Sequence, residues 1–332
     1  MTWFPFMTLF YFTLILGSLV SLSGTHWIFI WVGMELNLLS FIPLLTASSN
    51  NQEAEAAMKY FLAQVLGSGL ILLSIFTLFS PMQPLMSVNF IFIIGILIKC
   101  GLPPCHFWYP SVMSLISWPM CMILSTWQKI TPLMIFMVYI TPSLTLVLMV
   151  LVILSSLFGG IGGLTQVQLR PLLAYSSIGH MAWMLAASMK SFLVSFLYFI
   201  SYSIMSLTLM FILWLQSLTS SLYLNKCNEN LKYFIGMSAT LISLGGVPPM
   251  FGFFPKWMVI SLLNSLSMFI IFILVVGSMI NLYYYMNIVF MKFLTTTNFM
   301  NLSIGSPYNY LYVFILMSTS TLPIIPFTML MF

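Results

Sequence analysis

Only 4% of this chain is charged, so its chemistry is to be sought in the few ionisable side chains that interrupt apolar stretches. Four do so: Glu35 in "WVGMELNLLS", Lys99 in "GILIKCGLPPCHFWYP", Lys129 in "TWQKITP" and Lys256 in "FFPKWM". Lys99 stands ten residues past Asn89, a helical rise of about 15 Å, or half the hydrocarbon thickness of a bilayer. Glu35 stands nine residues past His26 and reaches a similar depth. Lys129 and Lys256 both neighbour prolines, where a disrupted helix exposes backbone groups and admits water.

Each such charge costs about 2.5–3.5 kcal/mol on insertion scales, so four cost roughly 10–14 kcal/mol if nothing relieves them. Three lysines and one glutamate cannot all pair, which leaves at least two lysines to water or to a neutral state. Desolvation favours the neutral amine, and an adjacent carboxylate favours the ammonium. A lysine whose carboxylate partner can move away therefore gives up and regains a proton. Two readings stay open: a structural Glu–Lys pair with two lysines snorkelling to an interface, and a proton relay. His180 in "AYSSIGHMAW" divides in the same way. It is either a lone membrane histidine bonded to a hydroxyl, with Ser176 one turn before it on the same face, or a relay step between Lys129 and Lys256. Gln64 and Asn37 read as amides that join helices rather than as ligands.

Other chemistries fit poorly. Cys100, Cys105, Cys121 and Cys227 form no CxxC pair and have no metal spacing, so they read as packing residues. His26, His106 and His180 fall in separate segments, against a haem bundle. "GGIGG" at 159–163 lacks the setting of a nucleotide loop and fits close helix packing. The net charge of +5 is scattered and forms no nucleic-acid patch. The chain is expected to bind no metal, no cofactor and no nucleic acid.

The elements that must carry these residues follow from composition. Hydrophobic residues make up 61% of the 332, with a mean hydropathy of +1.10, against about half in soluble domains. Apolar runs of membrane-spanning length recur throughout, so the fold expected is an all-α polytopic membrane protein. The first twenty residues carry no Lys or Arg, which argues for an uncleaved first span rather than a signal or transit peptide. Loop signals predict about eleven spans: 3–22, 25–46, 56–79, 88–108, 111–140, 143–163, 171–188, 191–218, 233–262, 266–290 and 309–330. Loops on the N-terminal side would hold Lys59, Arg170, Lys226, Lys232 and Lys292, and the opposite side only Lys190. The positive-inside bias then puts the N-terminus inside and the C-terminus outside.

"CGLPPCHF" at 100–107 resembles "GGVPPMFG" at 245–252. Each lies in the fourth span of a five-span block, and five is odd, so the blocks would be inverted in the bilayer. Inverted repeats with Gly/Pro-interrupted helices in matching places mark the transport route of many transporters. The expected organisation is a first five-helix repeat over 1–142, a second over 143–290, and a loop and C-terminal helix over 291–332, with interruptions near Pro103 and Pro248.

Taken together, "WVGMELNLLSFIPLL", "AMKYFLAQ", "LIKCGLPPCHFW", "LSTWQKITPL", "QLRPLLAYSSIGHMAW" and "GGVPPMFGFFPKW" resemble, in order over about residues 25–262, the subunit 2 family of mitochondrial complex I. That is an antiporter-like family of NADH dehydrogenase subunits, and the last seventy residues match it only in hydropathy and length. The resemblance implies that Glu35 and Lys99 form the ion pair, that Lys129 is the central lysine and Lys256 the exit-side lysine, and that His180 lies on the hydrated central axis. It implies a core subunit of the proton-translocating NADH:ubiquinone reductase with no redox centre of its own, in the mitochondrial inner membrane, N-terminus in the matrix and C-terminus in the intermembrane space. The partners implied are the other membrane-arm subunits (subunits 4 and 4L among them), the lateral helix of subunit 5, accessory subunits and phospholipids. Subunits 4 and 5 share the plan but are longer, and subunit 5 adds a lateral helix. Two other classes remain: a structural subunit that bridges neighbours with static charges, and a free-standing cation/proton antiporter, which alone of the three should transport ions by itself.

Overall fold

The computed structural model describes residues 5–47, 50–78, 85–139, 144–216, 231–248, 250–264 and 268–297. The span expected at 309–330, most of the loop expected at 219–232, the end of that at 291–308, and Cys227 lie outside the described residues. Every regular element among the described residues is a helix. Seven stretches are long and apolar enough to cross a membrane. The chain divides into two compact units, Met1–Thr141 and Pro142–Phe332.

In the first unit, α1 (Pro5–Ser23) and α2 (Trp27–Leu45) pack along much of their length. A Cβ on Gly33 would come within 2.8 Å of the Gly17 carbonyl oxygen, so the two backbones touch where both side chains are absent. α3 (Asn51–Leu78) starts five residues before the predicted span. Its first turns, "NQEAEAAMKY", are too polar for a hydropathy window, yet the Asn50 carbonyl accepts from Glu53 and Ala54 and a Glu55–Lys59 pair at 2.6 Å supports the helix. α4 (Leu85–Cys100) crosses α3 at a second glycine contact, Gly67 against Gly95.

α4 ends at Cys100, eight residues short of the predicted end. Gly101 takes φ +68°, and the bonds Gly101 N–H to Ile98 O (3.1 Å) and Leu102 N–H to Leu97 O (2.9 Å) close the helix as a Schellman motif. The expected span 111–140 is instead three helices: α5 (Trp108–Leu115), α6 (Trp118–Ser125) and α7 (Trp127–Tyr139). Extended backbone at Ile116 and Ser117, just before Pro119, separates α5 from α6. The turn at Thr126 separates α6 from α7, six residues before Pro132, which removes an i→i−4 bond and presses on the carbonyl four residues back.

In the second unit, α8 (Thr145–Leu164) packs on α9 (Leu169–Ser188), α10 (Phe192–Leu215) follows, and the expected span 233–262 is two helices, α11 (Leu231–Gly245) and α12 (Phe253–Leu263). α13 (Met268–Thr297) runs seven residues beyond its predicted end, which places Lys292 in a helix rather than in a loop. The "GGIGG" segment packs as its glycines require: a Cβ on Gly159 would lie 2.6 Å from Gly179 N of α9. α9 holds Ser176, Ser177 and His180 and is not among the seven most apolar spans, yet nearly all of it is buried. Protein rather than lipid surrounds it, so it can be polar.

The two interruptions match position for position. α4 ends at Cys100 and α11 at Gly245; the positive-φ glycines are Gly101 (+68°) and Gly246 (+75°); α5 restarts at Trp108 and α12 at Phe253. Each second position lies 145 residues after the first, the offset of the repeated sequence.

Candidate functional site

The helix breaks explain where the buried charges sit. Lys99 is the next-to-last residue of α4, Lys129 the third of α7 and Lys256 the fourth of α12. All three are buried. A lysine in the last turn of a helix is favoured by the partial negative charge there, whereas one in the first turn is not. Lys99 thus has help from its own helix, and Lys129 and Lys256 must find compensation elsewhere.

Lys99 Nζ lies 3.7 Å from Glu35 Oε1, with the lysine side chain 4% and the glutamate 22% exposed. At that length the pair is held by charge rather than by a close hydrogen bond. The lysine stem runs against Gly67, where a Cβ would come within 3.0 Å of Lys99 Cγ. The end of α4 is capped from two sides, by Gln64 Nε2 donating to Lys99 O (3.2 Å) and Trp108 Nε1 donating to Ile98 O (3.0 Å).

Lys129 lies with Nζ 4.4 Å above the ring centroid of Tyr109. Tyr109 is the second residue of α5, so the chain that leaves the α4 break supplies an aromatic face for a cation. Beside it, Gln128 Nε2 donates to Asn37 Oδ1 of α2 (3.0 Å), and Tyr60 of α3 donates to Gln128 Oε1 (3.2 Å). Asn37 and Gln64 therefore join helices, as their positions indicated.

In the second unit, Lys256 Nζ donates to Gly245 O at 2.7 Å, reaching back across the break to the C-terminal end of α11. That end carries partial negative charge and an unused carbonyl, which is the compensation α12 itself cannot give. Gly246 makes the approach possible: a Cβ there would lie 2.6 Å from Nζ.

His180 Nδ1 is 3.0 Å from the Tyr198 hydroxyl of α10, and its ring is 5.1 Å from that of Tyr202. The hydroxyl partner is Tyr198 and not Ser176, whose Oγ donates to Leu173 O within α9. Tyr109, Gln128, Tyr60, Tyr198 and Tyr202 all escaped sequence reading. Gln128 carried a signal, since it adjoins Lys129 in an apolar run, but the tyrosines are four of fifteen in the chain. Cys100 and Cys121 are buried and Cys105 partly so, as packing residues. Among the described residues no three His, Cys, Asp or Glu side chains converge to hold a metal.

Paired helix interruptions recur in many transporters, and comparison with known proteins supplies the family. A family model described as "NADH:quinone oxidoreductase/Mrp antiporter, TM" matches residues 23–281. The chain belongs to this oxidoreductase/antiporter family. It is 42% identical over 294 residues, 86% of each chain, to NADH-ubiquinone oxidoreductase chain 2 of Lumbricus terrestris. It is 37% identical over 333 residues, 95% of each chain, to the protein of the same name from Peropteryx kappleri. Its fold is similar to a chain of respiratory complex I from Thermus thermophilus, with a TM-score of 0.78 and 22% identity over 94% of this chain and 75% of that one. A chain of the Mrp complex from Dietzia sp. DQ12-45-1b gives a TM-score of 0.73 and 14% identity over 90% of this chain and 61% of that one. The oxidoreductase/antiporter family thus accounts for the helical membrane fold in both units.

Proposed function

We propose that this chain is a proton-translocating membrane-arm subunit of respiratory complex I in the mitochondrial inner membrane. NADH oxidation and ubiquinone reduction take place in other subunits, and this one binds no redox cofactor. The observation that carries the reading is the placement of Lys99, Lys129 and Lys256 at helix breaks, buried, with Glu35 beside Lys99. Likeness to chain 2 of NADH-ubiquinone oxidoreductase over most of both lengths supplies the complex.

The mechanism follows from the charges. While Glu35 stays close, its charge favours the ammonium form of Lys99. When energy released elsewhere in the complex separates the pair, desolvation favours the neutral amine and Lys99 gives up its proton. The proton passes along Lys129, His180 and Lys256, the order that the family resemblance implies. The ring of Tyr109 and the carbonyl of Gly245 lower the cost of a transient charge at Lys129 and Lys256, while neither fixes a charge there as a carboxylate does. At His180, the Tyr198 hydroxyl can donate to a neutral ring or accept from a protonated one.

The finer architecture is part of the same proposal. Eleven spans form two inverted five-helix repeats and a last helix, the N-terminus faces the matrix, and the C-terminus faces the intermembrane space. The matched breaks at Gly101 and Gly246 support the repeat. The partners are the neighbouring membrane-arm subunits, the lateral helix of subunit 5, accessory subunits and phospholipids.

The test is Lys256→Met in the assembled complex. Protons moved per NADH oxidised should fall, while NADH oxidation by an artificial acceptor stays intact. A full proton yield would assign Lys256 to structure and favour a subunit that only bridges its neighbours.

A further inference from the structure

Three hydrogen bonds and one ion pair form a closed set around α3. On that helix Tyr60 and Gln64, one turn apart, share a face. Gln64 holds the carbonyl of Lys99 at the end of α4 (3.2 Å), and Tyr60 holds the side-chain oxygen of Gln128 at the start of α7 (3.2 Å). The amide nitrogen of Gln128 donates to Asn37 (3.0 Å), two residues beyond Glu35 on α2. Glu35 closes the set on Lys99 at 3.7 Å. Both members of the ion pair are thereby connected to the residue that precedes Lys129.

Gln128 is where the connection converges. Its amide has one oxygen and one nitrogen, and each is held by a different helix. Asn37 and Tyr60 are buried at 3% and 1% exposure, and Gln128 between them is half-buried. The next residue, Lys129, has its backbone N–H on Thr126 O (3.2 Å), at the turn that separates α6 from α7. That turn is where the first turn of α7 can rotate with least loss of helical bonding.

We propose that Gln128 is a positioning residue that ties the first turn of α7, and with it Lys129, to the helices bearing Glu35 and Lys99. A rotation of α2 that withdraws Glu35 from Lys99 moves Asn37 with it, and the Gln128 amide carries the displacement to Lys129. The inference rests on the proton-transfer reading above and adds to it the element that passes the state of the pair onward. A mere staple between helices would raise the amount of assembled complex without caring whether Glu35 is charged. A transmitting element loses its effect once the pair is gone.

The experiment uses the intact complex in sealed membranes with Glu35→Gln, Gln128→Leu, Tyr60→Phe and the double variant Glu35→Gln, Gln128→Leu, all normalised to assembled complex. Gln128→Leu should lower protons per NADH as far as Glu35→Gln does, with artificial-acceptor oxidation unchanged. The double variant should be no lower than the lower single. Tyr60→Phe, which removes one hydroxyl and one of the two bonds, should give a smaller loss in the same direction, and it decides the matter if Gln128→Leu fails to assemble. Full yield in Gln128→Leu and Tyr60→Phe beside a loss in Glu35→Gln overturns the positioning role and leaves proton transfer standing. So do losses in the double variant that simply multiply. A full yield in Glu35→Gln overturns both.

Discussion

Gly246→Ala should stop proton transfer at Lys256 without touching the lysine itself. Gly246 adopts φ +75°, where a side chain costs about 1–2 kcal/mol. The new Cβ would also lie 2.6 Å from Lys256 Nζ, 2.8 Å from Cδ and 2.9 Å from Cε. No real Cβ sits so close, so the ammonium must leave Gly245 O, a 2.7 Å bond whose loss costs roughly 1.5–3 kcal/mol for a charged donor. The backbone strain lowers stability wherever the lysine lies, so only the lost bond bears on its position. At about 1.4 kcal/mol per tenfold, the occupancy of Lys256 at the end of α11 drops by roughly one to two orders of magnitude. The assay is protons moved per NADH in sealed membranes, normalised to assembled complex, with Lys256→Met alongside. The two variants should lose similar yield. Gly69→Ala serves as the control, because a Cβ there meets nothing within 4 Å and alanine should be neutral. A wild-type yield from assembled Gly246→Ala complex would refute the claim that the Lys256–Gly245 contact matters for transfer.

Three further outcomes follow from other parts of the molecule. At 3.7 Å and an effective dielectric near 20, the Glu35–Lys99 attraction is about 4.5 kcal/mol. Glu35→Gln and Lys99→Met should each lower assembled complex, and the double variant should restore assembly without restoring proton yield; recovery of both would make the pair structural. Gly159→Leu should force α8 from α9, where a Cβ already meets Gly179 Cα at 2.7 Å, and the amount of complex assembled in membranes should fall well below that of Gly159→Ala; equal amounts would contradict the contact. A label or protease applied from the intermembrane side of intact membranes should not reach the 219–232 loop, since a matrix-facing loop is what the basic bias requires.

The charge sites were legible because so few residues compete for attention in a chain that is 4% charged. Lys99, Lys129 and Lys256 could be picked out from position alone, and the repeated Gly-x-Pro-Pro located both breaks. The partners of those lysines were not legible, because aromatic rings and backbone carbonyls are present everywhere. Nothing in the sequence distinguishes Tyr109, which lies under Lys129, from the other tyrosines, or names Gly245 O as the acceptor of Lys256. Hydropathy placed most spans but misjudged ends. It cut α3 short where its first turns are polar, and it ran α5, α6 and α7 together because an apolar window is blind to the extended pair Ile116–Ser117 and the turn at Thr126. His180 was found, but Ser176 was the wrong hydroxyl to watch. A serine on the same helix is satisfied by its own backbone, while Tyr198 comes from α10, a neighbour that sequence spacing does not reveal.

A density map of the intact complex, sharp enough to show ordered water, tests proton relay most directly. A relay requires waters within hydrogen-bond reach of the Nζ atoms of Lys99, Lys129 and Lys256 and of the His180 ring, joined into a path through the interior. Apolar side chains packed dry around Lys129 and Lys256, in a complex that is turning over, would contradict it.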